Sequence, residues 1–173
     1  MTFDSLKAVA LLFMGVLVQV SVLAAYTPFG GTPDIVLVLL ISVALLRGSI
    51  FGAFAGFGAG FLIDTANLAT LGVTSLLLTL AGFWTGRYGE TTARDRAHAP
   101  YTSVMVITAL YTLGTIALRF VLGQPAPADS VLRGLPATVL INLVLTWPVY
   151  RFARKLFRPT DISDRVREVR LLG

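Results

Sequence analysis

Long runs of apolar residues, separated by short polar stretches, recur from Leu6 to Phe152. That pattern constrains the chain more than any motif, because each run approaches the length needed to cross a hydrocarbon layer about 30 Å thick. Composition agrees: 13% of residues are charged and 55% apolar, with mean hydropathy +0.80. Soluble domains carry charge on roughly a quarter of their residues. Lipid is therefore the expected solvent. The expected fold class is an all-α polytopic membrane protein with about six short transmembrane helices. Residues 1–158 would form the transmembrane domain and residues 159–173 a basic cytoplasmic tail.

The first run, residues 6–26, resembles a secretory signal in having Lys7 before it and Ala24 and Ala25 near its end. It exceeds the roughly 7–15 residues of a signal core, so it reads as a retained helix. The second run, 34–46, is introduced by Thr32, Pro33 and Asp34. Thr suits a cap, Pro the first helical position and Asp the positive helix end, which places a helix start at Pro33. Arg47 and Gly48 break the run, and a third, 49–63, follows at once as the second arm of a tight hairpin.

As helix, each arm covers only about 20 Å. Such a pair thins the bilayer, uses Arg47 as a snorkelling end, or is shielded by its neighbours, and a re-entrant pair is an alternative. A turn at residues 64–67 leads to a fourth span, 71–86, ending in the interfacial residues Trp84, Arg87 and Tyr88. A polar loop over 87–100 carries His98. Spans 101–122 and 135–152 complete the six, the last expected to bend at Trp147–Pro148.

Charge then orients the spans. Of the 14 Lys and Arg residues, 12 fall on one side of a six-span arrangement, and only Arg119 and Arg133 fall toward the other. By the positive-inside rule both termini are cytoplasmic. The net charge of +5 is thus explained by orientation and contact with anionic membrane lipids, not by nucleic acid, since no basic face with interleaved aromatics remains outside the spans. The tail after Pro159 either rests on lipid or forms a short docking helix, with Ile162, Val166, Val169 and Leu172 at helical spacing.

Gly48, Gly52, Gly56 and Gly60 recur every four residues and so share one face of the third helix, while Gly82 and Gly86 repeat the spacing on the fourth. Small residues in this pattern let helix backbones approach closely in lipid. Two readings stay open: packing between spans of this chain, or an interface for another membrane protein. No Gly-x-Gly-x-x-Gly triplet occurs, which removes a nucleotide site.

Asp64 opposes the dipole of its own helix and needs another partner, for which Arg119 is the candidate. Gln19 and Asn142 are the other intramembrane polar residues and suit interhelical hydrogen bonds better than a proton relay. Asp34 is a helix-start acid. Chemistry is poorly provided for: there is no cysteine, His98 is the single histidine, and Ser75 and Ser103 have no evident base. No catalytic residue, metal ligand or cofactor site is expected, and the chain reads as a non-enzyme.

Certain residues together carry a family resemblance. Pro33–Asp34 opens an apolar run that ends at Arg47–Gly48. Gly56–Phe57 and Gly60–Phe61 then lead to Asp64, and Leu71–Gly72 precedes Leu78–Thr79, Gly82 and Gly86–Arg87. This pattern resembles the MreD family of rod-shape-determining membrane proteins. Phe61 stands where the family more often has leucine, and residues 123–134 and the tail carry none of the pattern.

The resemblance implies a non-enzymatic subunit of the bacterial elongation machinery, in the cytoplasmic (inner) membrane. It would work with MreC and through it with the MreB filament, RodA and a class B penicillin-binding protein, supporting peptidoglycan synthesis and cell shape. It also implies a six-helix fold like the substrate-binding subunits of energy-coupling factor transporters. The alternative function on that fold is a binding subunit for a small molecule such as a vitamin. Poverty in convergent polar groups favours the scaffold. A homodimer is compatible with either.

Overall fold

Thirteen residues without a polar face organise the molecule. The helix α2, Ile35–Arg47, is apolar all round, and such a helix is stable only when enclosed. A computed structural model describes residues 2–21, 30–68, 70–91, 98–125 and 128–157. In it every residue of α2 from Val36 to Leu46 is buried. Around it stand α1 (Thr2–Ser21), α3 (Ser49–Ala66), α4 (Val73–Thr91), α5 (Ala99–Val121) and α6 (Ala128–Leu156), and each of these touches α2.

The short helix is thus shielded by its neighbours. Its side chains pack with Leu12 and Val16 of α1, Leu78 and Ala81 of α4, and Val104 and Ile107 of α5. At its far end the Arg47 guanidinium lies 5.3 Å from the ring centre of Phe157 and 6.0 Å from that of Phe51. The charge is thus spread over aromatic faces at the negative end of α2, both favourable positions for a cation.

The outer surface is the inverse of a soluble protein's. Phe54, Phe57, Leu80, Leu110, Leu140 and Val144 point outward from four helices and are exposed, an apolar belt that water would not tolerate and lipid covers. Among the described residues, α3, α5 and α6 are long and apolar enough to cross a membrane. The apolar parts of α1 and α2 are shorter, 6–21 and 35–47.

Three boundaries differ from those expected. The second helix begins at Ile35, not Pro33, because Asp34 is its cap: the carboxylate accepts the Leu37 N–H at 3.0 Å. Thr32, the expected cap, instead donates its own N–H to the Thr138 hydroxyl at 3.1 Å. The last helix begins at Ala128, not Leu135. Asp129 in its first turn complements the dipole, so polar residues that read as loop are the first turns of a helix. The fourth helix runs on to Thr91, which makes Arg87 and Glu90 helical. Residues 92–97 of the expected loop, and the tail from residue 158, lie outside the described residues.

Candidate functional site

The helices α3 and α4 meet backbone to backbone, and the glycines stand along their contact. A Cβ at Gly52 would strike the carbonyl of Gly82, one at Gly56 the carbonyl of Leu78, and one at Gly60 the backbone of Ser75. On the other helix, a Cβ at Gly82 would strike Gly52 and one at Gly86 would strike Gly48. Gly89, which the sequence reading did not single out, continues the line from α4 onto α2, where a Cβ would strike the Leu45 carbonyl oxygen at 2.8 Å. The register is antiparallel throughout.

Antiparallel pairing also decides where the charged ends go. Asp64, fully buried near the carboxyl end of α3, accepts hydrogen bonds from the backbone N–H groups of Gly72 at 2.8 Å, Thr74 at 3.3 Å and Ser75 at 3.4 Å. These are the otherwise unsatisfied donors at the start of α4. Glu90, near the carboxyl end of α4, does the same for α3: it accepts the Ser49 N–H at 2.8 Å and the Ser49 hydroxyl at 3.0 Å. Each carboxylate opposes its own helix dipole yet sits at the positive end of its partner's, where it is stabilised. The two helices cap one another.

The expected Asp64–Arg119 contact is corrected by this arrangement. The Asp64 oxygens are occupied by backbone donors, and among the described residues no ion pair joins the two side chains. Glu90, read in the sequence as one charge of a solvated loop, is the missed member of the pair. At the joint between α2 and α3, Gly48 has φ of 96°, a conformation that favours glycine, and a Cβ there would lie 2.5 Å from the Glu90 carboxylate.

A second polar group surrounds the start of α2. The stretch from Gly30 to Asp34 is not regular helix and lies along α6, with Gly31 against Ala137 and Thr138. Asn142, beside Asp34, is roughly 20 Å along α6 from Ala128 at 1.5 Å per residue. Irregular backbone at such depth must have its polar groups satisfied within the protein. Gln19 of α1 accepts the Ile35 N–H at 2.9 Å and donates to the Pro33 carbonyl at 3.1 Å. Asn142 accepts the Asp34 N–H at 2.9 Å and donates to the Thr108 hydroxyl at 3.2 Å.

Gln19, Pro33, Asp34 and Asn142 are thereby brought together, joining α1, α2, α5 and α6. Asn142→Leu is expected to strand the Asp34 N–H, costing about 2 kcal/mol, a loss measurable as earlier thermal unfolding in detergent. Stability equal to the unchanged protein would show that Asn142 carries no such burden.

Geometry of this kind, with buried polar groups turned to backbone and helices joined by close approach beneath an apolar exterior, is that of a helical membrane protein. The family model described as rod shape-determining protein MreD matches residues 4–159. The chain belongs to the MreD family, a membrane-associated family of the rod-shape machinery whose members are generally non-enzymatic. No curated protein and no solved structure matches it.

Proposed function

We propose that the chain is a non-enzymatic scaffold of the bacterial elongation complex. In this reading it spans the inner membrane six times with both termini cytoplasmic, binds MreC, and stands in one complex with the MreB filament, RodA and a class B penicillin-binding protein. It supports peptidoglycan synthesis and so maintains cell shape. Residues 1–158 form the membrane unit, like the six-helix substrate-binding subunits of energy-coupling transporters in fold, and the tail from 159 contacts lipid or a cytoplasmic partner.

The observation that carries the proposal is the family match over residues 4–159. The distribution of polar groups supports it: Asp64, Glu90, Gln19 and Asn142 are engaged in joining helices. That leaves a firm frame with an apolar exterior on which other membrane segments can pack. No observation favours the transporter alternative. Of the grooves between α4 and α5, the one of about 390 Å³ is walled chiefly by Leu77, Leu80, Trp84, Ile107 and Leu110, and the one of about 410 Å³ includes Thr85, Thr102 and Ser103 but presents an almost wholly apolar surface. A substrate site needs convergent polar groups.

Depletion in the rod-shaped native bacterium tests the reading. Cells are expected to widen and round within a few generations and to recover on re-expression. Rods of unchanged width after full depletion would contradict it.

A further inference from the structure

The end of the bundle where α5 stops and α6 begins holds two arginines, and each lines a depression. Arg119 stands in a cavity of about 210 Å³ with Thr32, Tyr111, Thr112, Thr115, Ile116 and Val131. Arg133 lines a more open one of about 410 Å³ with Gly30, Asp129, Ser130 and Gly134. Residues 30–32 run between the two. Among the described residues neither guanidinium has an ion pair or hydrogen bond. An arginine at a membrane edge ordinarily finds an anion or reaches water.

The Arg119 cavity has the features of an anion site. It extends roughly 12 Å along α5 from Arg119 to Tyr111, at 1.5 Å per residue. The hydroxyls of Thr112 and Thr115 are spent on carbonyls of their own helix, at 2.9 and 2.8 Å. The polar groups that remain on the wall are Arg119 and the hydroxyls of Thr32 and Tyr111. A guanidinium offers paired N–H groups that match the oxygens of a phosphate.

Size and surroundings select the ligand. Sites for drug-sized molecules run from about 300 Å³ upward, so this cavity suits a headgroup, not a vitamin. Immediately beside Arg119, Phe120, Val121 and Leu122 are exposed, and Val131, in the cavity wall on α6, is exposed as well. An arginine on the wall of a small, largely apolar cavity, with large apolar side chains exposed next to it on α5, matches an amphiphile: phosphate at the arginine and acyl chains along the apolar flank.

We propose that this cavity binds the phosphate headgroup of a glycerophospholipid, with Arg119 as its anion partner.

Native mass spectrometry of the delipidated full-length protein, titrated with dioleoylphosphatidylglycerol, tests this. The unchanged protein is expected to hold the lipid, and Arg119→Gln to bind it about tenfold more weakly, the loss of a charge-assisted hydrogen bond. Arg87→Gln, on α4, serves as the control for general charge and should bind as the unchanged protein does. Thr115→Phe fills the cavity without altering charge and should weaken binding similarly, so the proposal does not depend on one variant folding. Wild-type affinity in either folded cavity variant, or an equal loss in Arg87→Gln, would overturn it. Displacement of the lipid by millimolar inorganic phosphate, with phosphate bound in its place, would assign the site to a free anion and overturn the lipid assignment.

Discussion

Gly56→Leu is expected to remove most of the folded protein. At this position a Cβ alone would overlap the Leu78 carbonyl, and the obstacle is backbone, which has no other rotamer to adopt. The α3–α4 contact must therefore open along its length. Overpacking in a tight core costs up to about 3 kcal/mol and occasionally more, against a total stability of about 5–15 kcal/mol. The midpoint of thermal unfolding, read by size-exclusion chromatography after heating in detergent, should fall by about 10 °C, or the protein should fail to accumulate.

Gly58→Leu supplies the comparison. Gly58 is on the same helix, but nothing lies within 4 Å of the place its Cβ would occupy. Leucine there removes the helix penalty of glycine, about 1 kcal/mol, and should leave stability unchanged or slightly raised. Equal losses in the two variants would mean that the glycines matter for some reason other than close approach.

The second large effect is expected at Asp64. Asp64→Ala removes a wholly buried carboxylate that serves three N–H groups at the start of α4. Losing a cap costs about 1 kcal/mol, and stranding buried donors adds about 1–3 kcal/mol, so about 3 kcal/mol is expected. Asp64→Asn keeps one acceptor oxygen and should lose about a third as much. Glu90→Ala should lose less than Asp64→Ala, because the Glu90 side chain is 33% exposed and water replaces part of its role. The same unfolding assay orders the three variants, and a Glu90 effect larger than that of Asp64 would contradict the burial argument.

What could be read from the sequence is what is local. Four-residue glycine spacing is visible without a structure, since it is a property of one helix. The enclosure of α2 was partly legible from an apolar run too short to span and lacking any polar side. The helix it meets, and the partner of Asp64, were not. Asp64 binds backbone amides eight to eleven residues further on, and amides carry no residue identity for a pattern to reveal. An acid opposed to its own dipole suggested a cation, and Arg119 was the nearest candidate in the expected topology.

Glu90 escaped notice for a similar reason. It lies among charges that look solvated, and only the antiparallel register places it at the start of α3. Gln19 and Asn142 were visible as intramembrane polar residues, but their hydrogen-bond partners are largely in the irregular stretch before α2. Pro33 and Asp34, the end of that stretch, were read as the beginning of the helix, which hid their need for donors and acceptors. The start of α6 was misplaced because Asp129, Ser130 and Arg133 look like loop, whereas the first turn of a helix accommodates them, an acid there favourably.

The proposal that this MreD family member is a scaffold is tested most directly by purifying the tagged protein from its native membrane in mild detergent and identifying what remains bound by mass spectrometry. An MreC protein recovered together with wall synthases is the predicted result. An ATPase module carrying a bound vitamin, with no MreC, would contradict the scaffold and put transport in its place.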